Sequence, residues 1–311
     1  MFKGSIASRD LEEVVRALKS AAEPTRLRLL AVLIQGELTV GELCTVLGQS
    51  QPRISRHLRL LTEAGFLDRF REQRCVYYRL PAQGRRLEWL RQLLSLIDPG
   101  APTLLRDRER AGRVVADRAS VAALQLGATA ADDTAAAPKR DLAAVLLEEI
   151  GPTSIGELLD IGTGAGLMLQ ILGPRARHAV GIDSSSPVLR VARGRLRGSG
   201  LNHCEFRHGD MYELPYPDHS FDTVTIDRVL ARAKRPEAAL VEAARMLRPE
   251  GRLIIVEDFD QFDAATAGHP FSQLRRWLEH AGLDAGRLRP CDLAERHFIV
   301  ALARHKSHSE A

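Results

Sequence analysis

The sequence predicts an α+β module of about a hundred residues, followed by an α/β domain on a doubly wound, Rossmann-like sheet. Three observations carry this. The chain has 311 residues, about twice the usual domain size. Its first 97 residues hold sixteen Lys and Arg against ten Asp and Glu, whereas the rest hold twenty-eight against thirty. From about residue 140, short apolar runs alternate with helical segments, as βαβ units do. No run approaches the ~18 apolar residues of a membrane span. Residues 1–10 lack the apolar core of a secretory signal. Cys44, Cys75, Cys204 and Cys291 stand far apart, with no CxxC and no Cys/His cluster. A disulfide framework is thereby disfavoured, and a reducing, cytoplasmic setting with no structural metal is expected.

In the first 97 residues, 11–35 read as two helices broken at Ala22–Pro24, with Pro24 opening the second, where its missing N–H costs nothing. Thr39 caps a short helix carrying Leu43, Val46 and Leu47, which Gly48 stops. Ser50 caps a longer helix to about Ala64. Between 66 and 80 the period turns strand-like around Arg71–Arg74, giving a hairpin with a basic tip. An amphipathic helix follows at roughly 84–97.

The segment Ser50-Gln-Pro-Arg-Ile-Ser-Arg-His-Leu-Arg59 divides by faces. Ile54, Leu58 and Leu61 face a core, while Arg56 and Arg59 point away, flanked by Arg53 and Ser55. A short helix, a tight turn and such a helix make a helix-turn-helix whose outer face suits a major groove. The hairpin then acts as a wing, with Arg71 and Arg74 reaching phosphates. The candidate DNA-contacting set is Ser50, Gln51, Arg53, Ser55, Arg56, His57, Arg59, Arg71 and Arg74.

Glu23-Pro-Thr-Arg-Leu-Arg-Leu-Leu30, Ser50–Leu58 and Val76-Tyr-Tyr-Arg-Leu80 resemble the ArsR/SmtB-type winged-helix transcriptional regulators. The resemblance implies a homodimer through residues 11–22 and 84–97, on a palindromic double-stranded DNA operator. Its best-known members sense metals. Here Thr39-Val40-Gly41-Glu42, where their thiolate pair would lie, has no Cys, and soft metals need convergent thiolates or imidazoles. Metal sensing is not expected.

Residues 98–139 read as a connector. Arg106–Arg118 is charged and helical, and nine of the twenty residues 119–138 are Ala. The third region, 140–311, offers six candidate strands: Glu157–Ile161, His178–Ile182, His203–Arg207, Asp222–Ile226, Arg252–Glu257 and Phe298–Ala303.

Leu158-Leu-Asp-Ile-Gly-Thr-Gly-Ala-Gly166 runs an apolar strand into three glycines and a helix. Glycines there let backbone pass close to a ligand. The third glycine stands one position early for the dinucleotide fingerprint. Asp160 disfavours a pyrophosphate and suits a cationic amino-acid or sulfonium group. Asp183 ends the second strand, where a carboxylate can take both ribose hydroxyls. Asp210 follows the third strand and can accept from an adenine amino group.

These residues, with Leu214-Pro215, Phe221-Asp222 and Leu247-Arg-Pro-Glu-Gly-Arg-Leu253, resemble the class I S-adenosylmethionine (SAM)-dependent methyltransferases. The resemblance implies a seven-stranded sheet with a last antiparallel strand. It places Asp160, Gly162, Thr163, Gly164 and Gly166 at the methionine end, Asp183 and Ser184 at the ribose, and Asp210 and Met211 at the adenine. Asp227, ending the fourth strand, completes the cofactor-binding set. The chain departs from such relatives at Asp227-Arg-Val-Leu-Ala-Arg232, where an acceptor loop often carries His or aromatics, and in an aromatic-free stretch before the first strand. Catalytic residues are therefore not assigned. The expected function is a DNA-binding regulator whose second domain binds SAM, or its demethylated product S-adenosylhomocysteine (SAH), as effector. A bifunctional regulator that also methylates an acceptor, and a regulator with an empty α/β domain, are the alternatives.

Overall fold

The computed structural model describes residues 11–72, 74–81, 85–126, 136–196, 199–265, 268–293 and 296–306. The expectations placed on residues 1–10, on Gln73 at the hairpin tip, on residue 84 and on 127–135 lie outside these. The chain folds as two units, residues 1–117 and 118–311.

The first unit opens with α1 (Leu11–Ala21) and α2 (Pro24–Leu33). The Glu23 side chain starts α2 by accepting from the Arg26 N–H at 2.8 Å. A two-residue strand β1 (Leu38–Thr39) leads into α3 (Val40–Leu47). Thr39 and Glu42 cap α3 reciprocally, and Gly48 ends it at φ 66°, a left-handed conformation that favours glycine. Then come α4 (Gln51–Glu63), β2 (Asp68–Glu72), β3 (Cys75–Arg79), α5 (Arg85–Ser95) and α6 (Pro102–Leu126). The sheet order is β1-β3-β2, all antiparallel. Strand β1 is too short for a periodicity and was not foreseen. Leu29, Leu30, Leu43, Ile54, Leu58, Leu61, Phe66 and Leu90 fill the core, with Phe66 stacked on Trp89.

Residues Pro102–Asp117, read above as part of a connector, pack within this first unit. Ala111 and Val115 join its core. The side chain of Asp107, only 2% exposed, takes two hydrogen bonds from the Arg28 guanidinium, at 2.6 and 2.8 Å. Arg28 also donates to the Leu47 carbonyl at the end of α3. A bidentate pair of this kind fixes orientation as well as distance.

The second unit contains α7 (Ala136–Ile150), β4 (Gly156–Ile161), α8 (Leu167–Leu172), β5 (Ala176–Asp183), α9 (Ser186–Leu196), β6 (Cys204–His208), β7 (Phe221–Asp227), α10 (Pro236–Met246), β8 (Leu247–Asp258), α11 (Phe259–Ala265), α12 (Pro270–His280), β9 (Leu283–Leu293) and β10 (Arg296–His305). Its sheet runs β6-β5-β4-β7-β8-β10-β9. The first five strands are parallel. Strand β10 is antiparallel to both neighbours. This is the seven-stranded, doubly wound sheet that the sequence implied. Alternate residues of each strand serve the two faces. Leu159, Val180, Val224 and Ile255 pack towards α10 and α12, whereas Leu158, Ala179 and Ile254 pack towards α7, α8 and α9.

Replacing Asp107 by Ala strands a half-buried guanidinium. Arg28 is 22% exposed, so the loss should be about 2–4 kcal/mol, below that of a wholly buried pair. Urea unfolding followed through Trp89, in a Trp277→Phe background, measures it. A change below about 1 kcal/mol would mean that α6 is not anchored by this pair.

Candidate ligand-binding site and nucleic-acid face

Strand β4 lies between β5 and β7, and the chain winds outward from it in opposite directions, so a crevice opens at the carboxyl ends of these strands. The turn leaving β4 uses positive φ at Gly162 (68°), Gly164 (53°) and Gly166 (82°). Backbone bonds brace it: the Thr163 N–H donates to Ile182 O and the Gly166 N–H to Thr163 O, both at 2.9 Å. Asp183 joins the turn to the end of β5. One carboxylate oxygen accepts from the Gly164 N–H at 3.0 Å, the other from the Ser185 N–H at 2.8 Å. Burial pushes the Asp183 carboxyl up, while these two N–H groups favour its ionised form. Each oxygen retains a lone pair for a ligand hydroxyl.

A cavity of about 400 Å³ sits over this turn, lined by Gly162, Thr163, Gly164, Asp183, Ser184, Asp210, Met211 and Asp227. Eight of the ten residues expected at a cofactor thus line one cavity. Leu167, Ile182, Val188 and Val191 add an apolar side, and Asp210 holds its own turn by accepting from the Tyr212 N–H at 3.0 Å. Acids for hydroxyl and amino groups beside an apolar slot fit a nucleoside carrying a cationic tail.

Asp160 and Gly166 lie outside that lining. The Asp160 side chain points into the sheet, 1% exposed, and accepts from the Thr225 hydroxyl at 2.7 Å. Burial pushes its carboxyl up to about 7. Gly166 instead lets α8 approach the sheet, because a Cβ there would meet the Phe206 ring.

In the first unit, Arg53, Arg56 and Arg59 of α4 are exposed, opposite buried Ile54, Leu58 and Leu61. Arg53 and Arg56 have no carboxylate partner among the described residues, and Arg59 lies 3.8 Å from Glu63. Ser50 and Gln51 are exposed at the helix start, Ser55 is half-buried, and Arg71 and Arg74 are exposed on the hairpin. His57 is different. Its ring is 14% exposed and lies 3.6 Å from Glu23 at the head of α2, and burial lowers its pKa. Among the described residues, no three His, Cys, Asp or Glu side chains converge as a metal site. No described helix is long and apolar enough to cross a membrane.

Residues 23–69 match the family model for bacterial regulatory proteins of the arsR family, and residues 159–255 match a methyltransferase-domain model. The chain carries an arsR-family helix-turn-helix and a methyltransferase domain. Among curated relatives, a demethylmenaquinone methyltransferase of Clavibacter sepedonicus is 37% identical over 108 residues, 35% of this chain and 43% of that one. One of Thermotoga maritima is 32% identical over 140 residues, 44% of this chain and 58% of that one. The chain therefore spans about half the length of these relatives. A solved SAM-dependent methyltransferase from Aquifex aeolicus is 21% identical, with a TM-score of 0.48, covering 57% of this chain and 97% of that one.

Within the methyltransferase domain, one side chain that shapes the cavity rim was not evident from the sequence. Glu257, at the end of β8 and 1% exposed, accepts from the Val229 N–H at 3.0 Å and the Leu230 N–H at 2.6 Å. It thereby sets the turn after β7, where Val229 presses on Gly162 and Arg228 takes φ 54°. The available signal was an acid ending the apolar run Leu253–Val256. Burial raises Glu257 to about 7. On this side of the cavity, Arg228 makes two bonds to Asp227, Arg296 pairs with Asp258 at 2.8 Å, and Arg232 donates to Gln261 at 3.2 Å.

The raised Asp160 pKa has a testable sign. The native protein keeps a proton that the unfolded chain releases between about pH 4 and 7. Stability therefore falls as pH rises through that window and levels off above it. Asp160→Asn should show a smaller fall in urea midpoint between about pH 5 and pH 8, the remainder coming from Glu257. A pH profile identical to wild type would contradict this assignment.

Proposed function

We propose that the chain is a homodimeric, DNA-binding transcriptional regulator whose methyltransferase domain binds SAM or SAH as an effector. The observation that carries this reading is the contrast between the two sides of one cavity. The side formed by the glycine turn, Asp183 and Asp210 offers acceptors and apolar surface suited to a nucleoside and a cationic tail. On the side where a methyl acceptor would stand, Arg228 is committed to Asp227 and Arg296 to Asp258, and Phe262 is turned into the core against Trp277. Such a site favours holding a ligand over admitting a second one.

In this reading, Asp183 takes the ribose hydroxyls, Asp210 and Met211 the adenine, and Gly162–Gly164 the methionine end. Asp160 acts from behind the turn, through its negative charge when ionised. SAM, when bound, would supply an electrophilic methyl group; regulation needs only its binding. The outer face of α4 and the wing read DNA, with Arg53, Arg56 and Arg59 pointing outwards. Dimerisation through α1 and α5 is supported by Val15 and Leu18, exposed at 37% and 45% on α1, and by Leu96 beyond the end of α5. Exposed apolar side chains on α1 and just past the end of α5 suit a self-complementary interface.

Calorimetric titration of the full chain with SAM and with SAH tests the ligand assignment. Asp183→Ala should weaken both by about 2–4 kcal/mol, roughly thirtyfold to a thousandfold, through two lost charge-assisted hydrogen bonds. Wild-type affinity in Asp183→Ala, or no binding of either ligand by the wild type, would remove the reading.

A further inference from the structure

The charged stretch that begins at Arg106 has no part in the function proposed so far. In the structure its first half is the N-terminal part of α6, held on the first unit by the Asp107–Arg28 pair. Opposite flanks of this helix differ. Leu104, Asp107, Ala111 and Val115 face inwards. Arg106, Arg110 and Arg113, at i, i+4 and i+7, fall on one exposed flank.

That flank borders the helix-turn-helix. Arg110 Nη1 donates to the Val46 carbonyl at 3.4 Å, at the end of α3, and lies beside Gly48 in the turn that leads into α4. Arg106 and Arg113 therefore stand about one helical turn to either side of the point where α6 meets this turn. Arg106 and Arg110 have no carboxylate partner among the described residues. Arg113 meets Glu109 at 3.6 Å, but both are largely exposed, and such pairs are screened and weak. Asp117 is the acid one turn further on. A phosphate could draw Arg113 from Glu109 at little cost, because the exchange replaces one exposed ion pair by another.

We propose that this flank of α6 binds the phosphate backbone of duplex DNA beside the groove entered by α4, so that the DNA-contacting surface extends beyond the winged helix. It rests on the DNA-binding reading above. The contacts would position rather than specify, since phosphates carry no sequence information. The anchoring of α6 through Asp107 means that the arginines meet DNA already placed, with only side-chain freedom to lose.

The test is the salt dependence of binding to an arbitrary-sequence duplex of roughly 40 base pairs, by fluorescence anisotropy between about 50 and 200 mM salt. Arg106→Ala/Arg113→Ala leaves Arg110 on the Val46 carbonyl and should lower the slope of log K against log salt by about 2, one unit per lost phosphate contact. Arg275→Ala/Arg276→Ala, which removes equal charge from exposed positions on α12, should leave the slope at the wild-type value. A wild-type slope in the α6 variant overturns the proposal, as does an equal fall in the α12 variant. Arg56→Ala/Arg59→Ala separates this from failure of the underlying reading. If that variant weakens binding while the α6 variant does not, only the α6 surface falls. If the wild type binds no duplex, both fall.

Discussion

The turn after β4 is the constraint on which the rest of the second unit depends. A strand must stop, reverse and enter a helix within five residues while leaving backbone open to a cavity, and three glycines at positive φ accomplish it. The turn is held from both sides. Asp183 fixes it from β5 through the Gly164 N–H. From the other side Val229 presses on Gly162, and Glu257 on β8 fixes the loop that carries Val229. Three neighbouring strands thus set one backbone segment, and the doubly wound order is what brings their carboxyl ends together.

The same arrangement explains the electrostatics. Asp160 and Glu257 are buried close to other acids, and burial raises both carboxyls to about 7. Buried acids near neutrality are costly to a fold, and such costs gather where a site is prepared for a ligand. A cationic ligand would offset part of this cost, whereas a pyrophosphate would add to it. In the first unit the balance is reversed. Its carboxylates are largely spoken for: Asp107 by Arg28, Glu42 by the cap of α3, and Glu23 by the start of α2. The arginines on the outer face of α4 are left exposed.

Much of this was legible in the sequence because it is local. Caps at Thr39 and Gly48, the faces of Gln51–Glu63 and the apolar runs of six strands all follow from neighbours in the chain. The glycine turn and Asp183 were legible because their chemistry is tied to strand ends. Strand β9 was not, since Gly286 and Pro290 interrupt its pattern, and both are tolerated only because β9 is an edge strand. The role of α6 was hidden because Asp107 and Arg28 are 79 residues apart, and nothing in a charged, aromatic-free stretch announces a buried ion pair. The inward turn of Asp160 depends on Thr225, a partner 65 residues away. The sequence placed His57 on the side of α4, as structural or phosphate-contacting; its nearness to Glu23, 34 residues earlier in the chain, is a tertiary feature.

Residues 23–69 and 159–255 match families of different kinds, and the account stands or falls on whether ligand and DNA binding are coupled. Coupling between two sites is reciprocal, and a tenfold effect corresponds to about 1.4 kcal/mol. The direct measurement is the affinity of the full chain for a duplex that it selects from a random pool, with no ligand, with saturating SAM and with saturating SAH. The account predicts that at least one ligand shifts this affinity by about tenfold or more, and that Asp183→Ala removes the shift without changing ligand-free affinity. Identical affinity in all three wild-type conditions would contradict it.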